Sequence, residues 1–361
     1  MSLVPTWSRA SVPGRSLVVL AIADSAPRAR LAATMLDALP GPGHAHGLAV
    51  LRSAATPSPA RIRAELEDTR QAGRRIPLLT TGQIRRLIRR RRPDAVLLDC
   101  SGPHTETLSG LGRSFLRRYR PVVVSSLPVP APEATEGEWL HRSRSDLLVA
   151  HSHREVDEYT VLAEKLGIRT QVGLAGVFPR TGQGPVSGRR DRVVFAAEGG
   201  LPDGNLGRET LLLALADLAR NRPDLEVVLH LGHDDHPEPM ETWHALARAG
   251  RVDASALTVT SGALRRQLDH ARGLVALGSE PVLVALSARV PCLVLTDFGR
   301  ERGDLFEDSG LLGDLGDLRL ARFHKPKRAW GEYNHFHPAS EDDWVARLHE
   351  LCLNVTRGRI S

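Results

Sequence analysis

The chain has 361 residues, of which 42% are apolar and 25% are charged, a composition that excludes an intrinsically disordered chain and a multi-span membrane protein. Its 48 Lys and Arg residues outnumber its 42 Asp and Glu residues for a net charge of +6, and its three cysteines are too few for a disulfide scaffold. A domain typically has roughly 100–200 residues, so this length predicts two domains. Unpaired thiols favour a cytoplasmic protein.

The first half alternates short apolar runs with helical patterns. Residues 1–15 are predicted to be disordered, and the apolar run 17–23 predicts a first buried strand, since it is too short to span a membrane. Ser25 can cap the helix that follows. Further buried strands are predicted at 94–100, 121–126 and 146–150, with helices at 58–73, 81–92, 105–118 and 155–167.

The second half repeats this alternation after a segment rich in Gly, Pro and polar residues. Strands are predicted at 192–197, 225–231, 257–260, 273–277 and 291–296. The predicted organisation is an N-terminal domain at 16–179, a linker at 180–191, a C-terminal domain at 192–340, and a tail at 341–361 whose helix packs back on the N-terminal domain. The fold class is therefore α/β, with two Rossmann-like domains whose parallel sheets face a central cleft.

Ligands bind at the carboxyl ends of the strands in such sheets, so the loops that follow them hold the candidate residues. After the strand at 94–100, the segment Asp99-Cys-Ser-Gly-Pro-His104 offers Asp99 or His104 as a general base, although Asp99 could instead cap the next helix. His151 follows another strand. Ser152 is explained as a helix cap with Glu155 as its capping-box partner, which leaves His151 available as a third candidate base.

In the second half, Glu198, Gly199 and Gly200 follow the first strand, where glycines allow a ligand to approach the backbone and Glu198 could orient a sugar hydroxyl or act as a base. The segment Gly278-Ser279-Glu280 opens a helix, whose first amides favour a phosphate group. Ser279 can cap that helix or bind phosphate, whereas the carboxylate of Glu280 would repel it. Asp297 follows the last strand.

The densest polar cluster is the segment HLGHDDH, which runs from His230 to His236. It has the residue types of a metal site, but a solvated loop or an anion site at His230 also explains it. We favour the anion site and predict no bound metal and no cofactor.

Arginines 85, 86, 89 and 90 lie on a predicted helix with apolar residues on its other side. A solvated helix face is the simplest interpretation, and contact with anionic lipid or an anionic polymer is the alternative. No aromatic residues are interleaved with these arginines, so we predict no nucleic-acid partner. The predicted location is the cytoplasm, with the inner face of the membrane as a second possibility.

The segment LVALGSEPVLVALSARVPCLVLTDFG, residues 274–299, resembles the donor-binding domain of GT-B glycosyltransferases. The segments RPVVVSSLP, DLLVAHSHREVDEY, VVFAAEGGLP, LEVVLHLGHDDHPEP, FEDSGLLG and AWGEYNHFH, in this order, resemble a glycosyltransferase family of high-GC bacteria. His236-Pro237 is similar to a His-Pro pair of bacterial sialyl- and polysialyltransferases. The resemblance implies a GT-B fold, a CMP- or UDP-linked sugar donor, and a donor site that includes residues 199, 200, 230, 236, 278, 279, 280 and 297.

The chain departs from that family at two positions. The family usually has Lys where this chain has His230, and Ser-Ser-Thr where it has Gly278-Ser279-Glu280, so the resemblance implies weaker phosphate binding, with an altered donor or lost activity. The predicted function is an inverting, metal-independent glycosyltransferase that acts on a glycan or polymer acceptor in cell-surface polysaccharide synthesis. An inactive partner or scaffold and a nucleotide-sugar epimerase or hydrolase are the alternatives.

Overall fold

The computed structural model describes residues 17–39, 45–54, 56–113, 119–131, 133–178, 190–197, 200–232, 237–299 and 305–358. These residues form two compact units. The first contains the described residues up to Val177 and from His337 onward, and the second runs from Phe178 to Phe336.

The first unit is a seven-stranded parallel sheet with helices between its strands. Its strands are β1 Val18–Ala23, β2 Ala45–Leu51, β3 Leu78–Leu79, β4 Ala95–Asp99, β5 Val122–Ser126, β6 Leu147–Ala150 and β7 Gln171–Leu174. Its first helices are α1 Ala26–Ala38, α2 Pro59–Glu65, α3 Thr81–Arg91, α4 Gly102–Arg113, α5 Glu136–Arg142 and α6 His153–Leu166. The strand order is β3-β2-β1-β4-β5-β6-β7, so the winding direction reverses between β1 and β4.

The second unit contains a six-stranded parallel sheet. Its strands are β8 Arg192–Ala196, β9 Glu226–His230, β10 Thr258–Thr260, β11 Ala271–Ala276, β12 Cys292–Leu295 and β13 Leu312–Gly313. Its helices are α7 Gly204–Asn221, α8 Pro237–Arg248, α9 Arg265–Leu268, α10 Ser279–Ser287, α11 Leu315–Arg319 and α12 Arg328–Tyr333. The order β10-β9-β8-β11-β12-β13 reverses between β8 and β11.

Small aliphatic residues build both cores, as the low aromatic content requires. In α1, Ala29, Ala32 and Ala33 are fully buried, which lets the helix lie close to the sheet. The last helix, α13 Trp344–Thr356, buries Trp344 and Leu348 in the same core cluster as β1, so the chain's C-terminal helix is part of the first unit.

The α/β fold class with two parallel Rossmann-like sheets is confirmed. The predicted disordered segment at 1–15 and most of the predicted linker at 180–191 lie outside the described residues. No helix in the described part of the chain is long and apolar enough to cross a membrane.

Gly273 in β11 is a position where the sheet tolerates no side chain. A Cβ atom there would lie 2.3 Å from Cγ of Phe323, at an irregularity in the pairing of β11 with β8. We expect Gly273→Ala to lower the free energy of unfolding by about 1–3 kcal/mol, because the partly buried ring of Phe323 must move from the core against which it packs. Gly82→Ala in α3 meets nothing within 4 Å and should be neutral or stabilising in the same urea titration. Equal stability of the two variants would contradict this packing.

Candidate active site

The carboxyl ends of β1 and β4 lie side by side at the point where the first sheet reverses. Ala23 pairs in parallel register with Asp99, so the residues after these two strands meet. Adjacent loops at such a reversal form the usual binding crevice of an open α/β sheet. Here they bring together Asp24 after β1, and Ser101 and His104 after β4.

The carboxylate of Asp24 organises this cluster. Its Oδ2 atom accepts hydrogen bonds from the Ser101 amide at 2.8 Å and the Ser101 hydroxyl at 2.7 Å. Nδ1 of His104 lies 2.8 Å from the same oxygen. An ionised carboxylate only accepts hydrogen bonds, so Nδ1 of His104 carries a proton, and in the neutral imidazole the lone pair lies on Nε2. Nε2 has no hydrogen-bond partner among the described residues, and the His104 side chain is 37% exposed.

Arg28, in the first turn of α1, contacts both carboxyl groups of the cluster, Asp24 and Asp99. Its Nη1 lies 3.4 Å from Oδ1 of Asp99 and donates to the carbonyl of Cys100 at 3.0 Å, while its Nε lies 3.6 Å from Oδ1 of Asp24. Burial acts to raise the pKa of Asp24, but the hydrogen bonds from His104 and Ser101 and the charge of Arg28 outweigh it, so the pKa lies below its ordinary value. Asp24 therefore remains ionised beside the imidazole.

Asp99 is the second carboxyl group of the cluster and is fully buried. Burial raises its pKa well above the ordinary value, against the opposing charge of Arg28. Its Oδ2 atom has no hydrogen-bond partner in the described part of the chain. In this structure Asp99 therefore contacts Arg28 and not the solvent.

The cluster has the geometry of an oriented general base and lacks that of a serine nucleophile. A nucleophilic serine needs its hydroxyl on one imidazole nitrogen and the carboxylate on the other. The Ser101 hydroxyl lies 3.1 Å from Nδ1 of His104, the nitrogen that Asp24 already occupies. The arrangement leaves Nε2 as the atom that can take a proton from a substrate.

His151 and Glu155 form a separate buried pair after β6. The His151 ring is fully buried, with Nδ1 3.0 Å from the carbonyl oxygen of Ala175 and Nε2 3.0 Å from the Ser126 hydroxyl. Burial lowers the pKa of His151 to about 4. Glu155 accepts hydrogen bonds from the amides of His151 at 2.6 Å and Ala131 at 3.3 Å, and burial raises its pKa to about 7.

These contacts make the His151–Glu155 pair a structural feature of the first unit. Ser152 caps α6 as the sequence predicts, because its hydroxyl accepts from the Glu155 amide, but the predicted capping box is wrong, since the Glu155 carboxylate binds the amide of His151, one residue before the cap. The Glu155 carboxylate binds the amides of His151 and Ala131 and so ties the loop after β5 to the end of β6.

In the second sheet, Gly200 follows β8 and Gly278, Ser279 and Glu280 follow β11, the two strands at which the strand order reverses. Gly278 is the N-cap of α10 and has no side chain to cap it, and Ser279 is the first residue of the helix, so Ser279 is not the cap. Gly200, in the loop after β8, has φ of 111°, a conformation that favours glycine. Glu198 and Gly199 lie outside the described residues.

The other predicted ligand residues of the second unit have internal partners or cannot be placed. His230 is fully buried at the end of β9, with Nδ1 3.0 Å from the Thr260 hydroxyl. Asp297 accepts the Leu315 amide at 2.9 Å and so helps to anchor α11. His236 lies outside the described residues, and within the described ranges no group of three or more His, Cys, Asp or Glu residues could hold a metal ion.

Sequence reasoning assigned no role to Asp24 and Arg28. The sequence indicated a site there only through the position of the loop after Ala23, which follows a buried strand. Only the strand order shows that this loop meets the loop after Cys100 and not another one.

The model of the family described as "Putative glycosyltransferase (DUF6716)" matches residues 19–351. The chain belongs to this family. The match spans nearly all of the two units of this DUF6716 protein. A sequence search of curated proteins finds no match.

Three solved structures of similar fold contain bound UDP. The UDP-GlcNAc 2-epimerase of Methanocaldococcus jannaschii, in complex with UDP-GlcNAc and UDP, is similar with a TM-score of 0.58 and 15% identity, over 92% of this chain and all of that one. The S. aureus MnaA–UDP co-structure has a TM-score of 0.58 and 13% identity, over 95% and 98% of the two chains. Anabaena HepE in complex with UDP has a TM-score of 0.53 and 12% identity, over 95% and 100%. At these identities the similarity establishes the GT-B-type fold of the DUF6716 protein.

Proposed function

We propose that this protein is an inverting glycosyltransferase that uses a UDP-sugar donor, requires no metal ion, and transfers the sugar to a glycan or polymer in cell-surface polysaccharide synthesis. Membership of the family supports the class of enzyme. The observation that carries the proposal is the Asp24–His104 pair, whose outward nitrogen is available at the reversal of the first sheet.

The proposed mechanism assigns acceptor activation to the first unit. The acceptor hydroxyl donates a hydrogen bond to Nε2 of His104, at about 2.6–3.2 Å between heavy atoms. Its oxygen attacks the anomeric carbon from the side opposite the diphosphate. The new C–O bond forms while the bond to the phosphate oxygen breaks. The proton passes to Nε2, UDP leaves with the bonding electrons, and Asp24 stabilises the imidazolium that results.

Donor binding is assigned to the second unit. Amides at the start of α10, whose N-cap Gly278 has no side chain, can donate hydrogen bonds to a diphosphate, and the helix dipole favours a negative charge there. The UDP bound in similar folds supports a uridine nucleotide, with a CMP-linked donor as the alternative. In the proposed site, Glu280 weakens the interaction because its carboxylate lies in the same first turn.

A thermal-shift screen of the full chain against UDP, CMP and UDP-sugars tests the proposal. A nucleotide that binds the folded state raises the melting temperature with concentration. We expect UDP to do so, and a transferred sugar to appear only when an acceptor is present. Free sugar or an epimer without acceptor would favour a hydrolase or epimerase, and no shift with any nucleotide at millimolar concentration would favour a non-catalytic scaffold.

Removing the carboxylate of Glu280 should strengthen nucleotide binding. We expect Glu280→Gln to bind UDP about 3- to 10-fold more tightly, because one negative charge leaves the phosphate site. The matched control is Glu238→Gln, which removes an exposed carboxylate from the first turn of α8. Isothermal titration with UDP gives both affinities. The same gain in both variants would indicate a nonspecific charge effect and remove α10 from the donor site.

A further inference from the structure

Helix α3 carries a concentration of positive charge that the proposed reaction does not use. Residues 69–93 contain nine arginines and no Asp or Glu, so the remainder of the chain has a net charge of −3. Arg86, Arg89 and Arg90 are exposed on this helix. Arg86 and Arg90 have no ion-pair partner among the described residues, so their charge is not neutralised locally.

The amphipathic pattern of α3 directs these charges to the solvent. Ile84 and Ile88 are buried in the core beneath the helix. At 100° per residue, Arg86, Arg89 and Arg90 project from the opposite side. A capping box formed by Thr80 and Gln83 fixes the helix start, so the arginines are presented on a rigid element.

The loop before β3 adds charge at one end of α3. Since β3 and β4 are parallel, α3 returns from the carboxyl edge of the sheet to its amino edge. Its last turn therefore lies at the same edge as the exposed residues Arg74 and Arg75, which precede β3. Asp24 and His104 lie at the opposite edge, so a partner at the amino edge leaves them accessible.

We propose that the exposed arginines of α3, with Arg74 and Arg75, form a docking surface for a membrane rich in anionic phospholipids. A convex helix face with distributed charge suits a planar anionic surface. Residues 69–93 include no aromatic side chain. Tyr119 lies under the guanidinium of Arg92, at 5.8 Å, and its hydroxyl donates to the carbonyl of Pro93. The surface thus lacks the stacking platform that single-stranded nucleic acids require.

Co-sedimentation with vesicles tests this proposal. We expect the full chain to bind vesicles of phosphatidylcholine and phosphatidylglycerol at 70:30, but not vesicles of phosphatidylcholine alone. Raising the NaCl concentration from 50 to 500 mM should release it, because salt screens exposed charges. The triple variant Arg86→Gln, Arg89→Gln, Arg90→Gln should partition on the order of 100-fold more weakly.

Two matched variants control for net charge and for geometry. Arg248→Gln, Arg266→Gln, Arg272→Gln removes three exposed arginines of the second unit and should bind like the parent chain. The triple variant Arg86→Lys, Arg89→Lys, Arg90→Lys should preserve binding, because a diffuse anionic surface recognises charge. Unaltered melting temperatures would show that each variant is folded.

Three results would overturn the proposal: no binding of the parent chain to the anionic vesicles, equal binding of the Gln triple variant, or equal loss in the second-unit control. Displacement from the vesicles by a stoichiometric amount of duplex DNA would also overturn it and indicate a polyanionic polymer as the partner.

Discussion

Replacing His104 with Ala should lower the rate of UDP release from a UDP-sugar by about 100- to 10,000-fold, the usual contribution of a positioned general base. The reason is geometric. Nε2 of His104 is the exposed end of a hydrogen-bonded pair, whereas Asp99 and His151 are fully buried. In His104→Ala the remaining member of the pair is Asp24, which is buried and is a weak base because its pKa lies below its ordinary value.

Asp24→Asn tests the other member of the pair. An Asn side chain cannot stabilise the imidazolium and no longer fixes the proton on Nδ1, so we expect a loss of about 100-fold or more. The UDP-induced thermal shift should be unchanged in both variants, because neither residue belongs to the proposed donor site. Loss of UDP binding together with activity would indicate damage to the fold, and full activity of His104→Ala would exclude this residue as the base.

His153 provides a matched control for His104. It also lies in the first turn of a helix, is hydrogen-bonded to a carboxylate, and has a similarly exposed side chain. Its partner is Glu341, which lies in the tail segment and not at the reversal of the sheet. We expect His153→Ala to retain activity with the same UDP-sugar. That result would show that the loss in His104→Ala comes from the position of His104 at the reversal of the sheet and not from the removal of a surface histidine.

The alternation of apolar runs and helical patterns was sufficient to predict the parallel sheets, but of the four edge strands in the described sheets it predicted only β10, at 257–260. β3, β7 and β13 have two to four residues each and lie at sheet edges. Such short strands have no extended apolar run, because only a few residues are covered. α5 was also missed, although Trp139 and Arg142 are buried in it, because the segment is short and polar.

The candidate site was predictable only in part, because the sequence shows where strands end but not which strands are neighbours. The polar residues after Cys100 mark a strand end, and the sequence pattern therefore identified Asp99 and His104. The pattern does not encode which strand ends are neighbours, so it could not pair His104 with Asp24. His151 also follows a strand, but its burial depends on Ser126 and Ala175, which come from two other parts of the chain.

His151 and Glu155 should impose opposite pH dependences on the stability of the protein. The pKa of His151 is lowered from 6.5 to about 4, so the folded state binds fewer protons than the unfolded state in that window, and His151 makes stability rise with pH. The pKa of Glu155 is raised from 4.5 to about 7, so the folded state binds more protons there, and Glu155 makes stability fall as pH rises. Their contributions oppose each other between pH 4.5 and 6.5.

Substituting either residue alone should therefore reveal a pH dependence of the free energy of unfolding that the two opposing contributions cancel in the parent chain. Relative to the parent, the free energy of unfolding should rise with pH between 4.5 and 7 in Glu155→Gln, and it should fall with pH between 4 and 6.5 in His151→Gln. Each change should be about 3 kcal/mol, since the two pKa shifts are about 2.5 units and one unit corresponds to about 1.4 kcal/mol. Urea titrations at half-unit pH steps measure both, and groups common to all three chains cancel in the differences. Both substitutions also remove hydrogen bonds, which lowers stability at every pH but does not reverse the sign of a slope. Slopes of the same sign in the two variants would contradict the burial of one member of the pair.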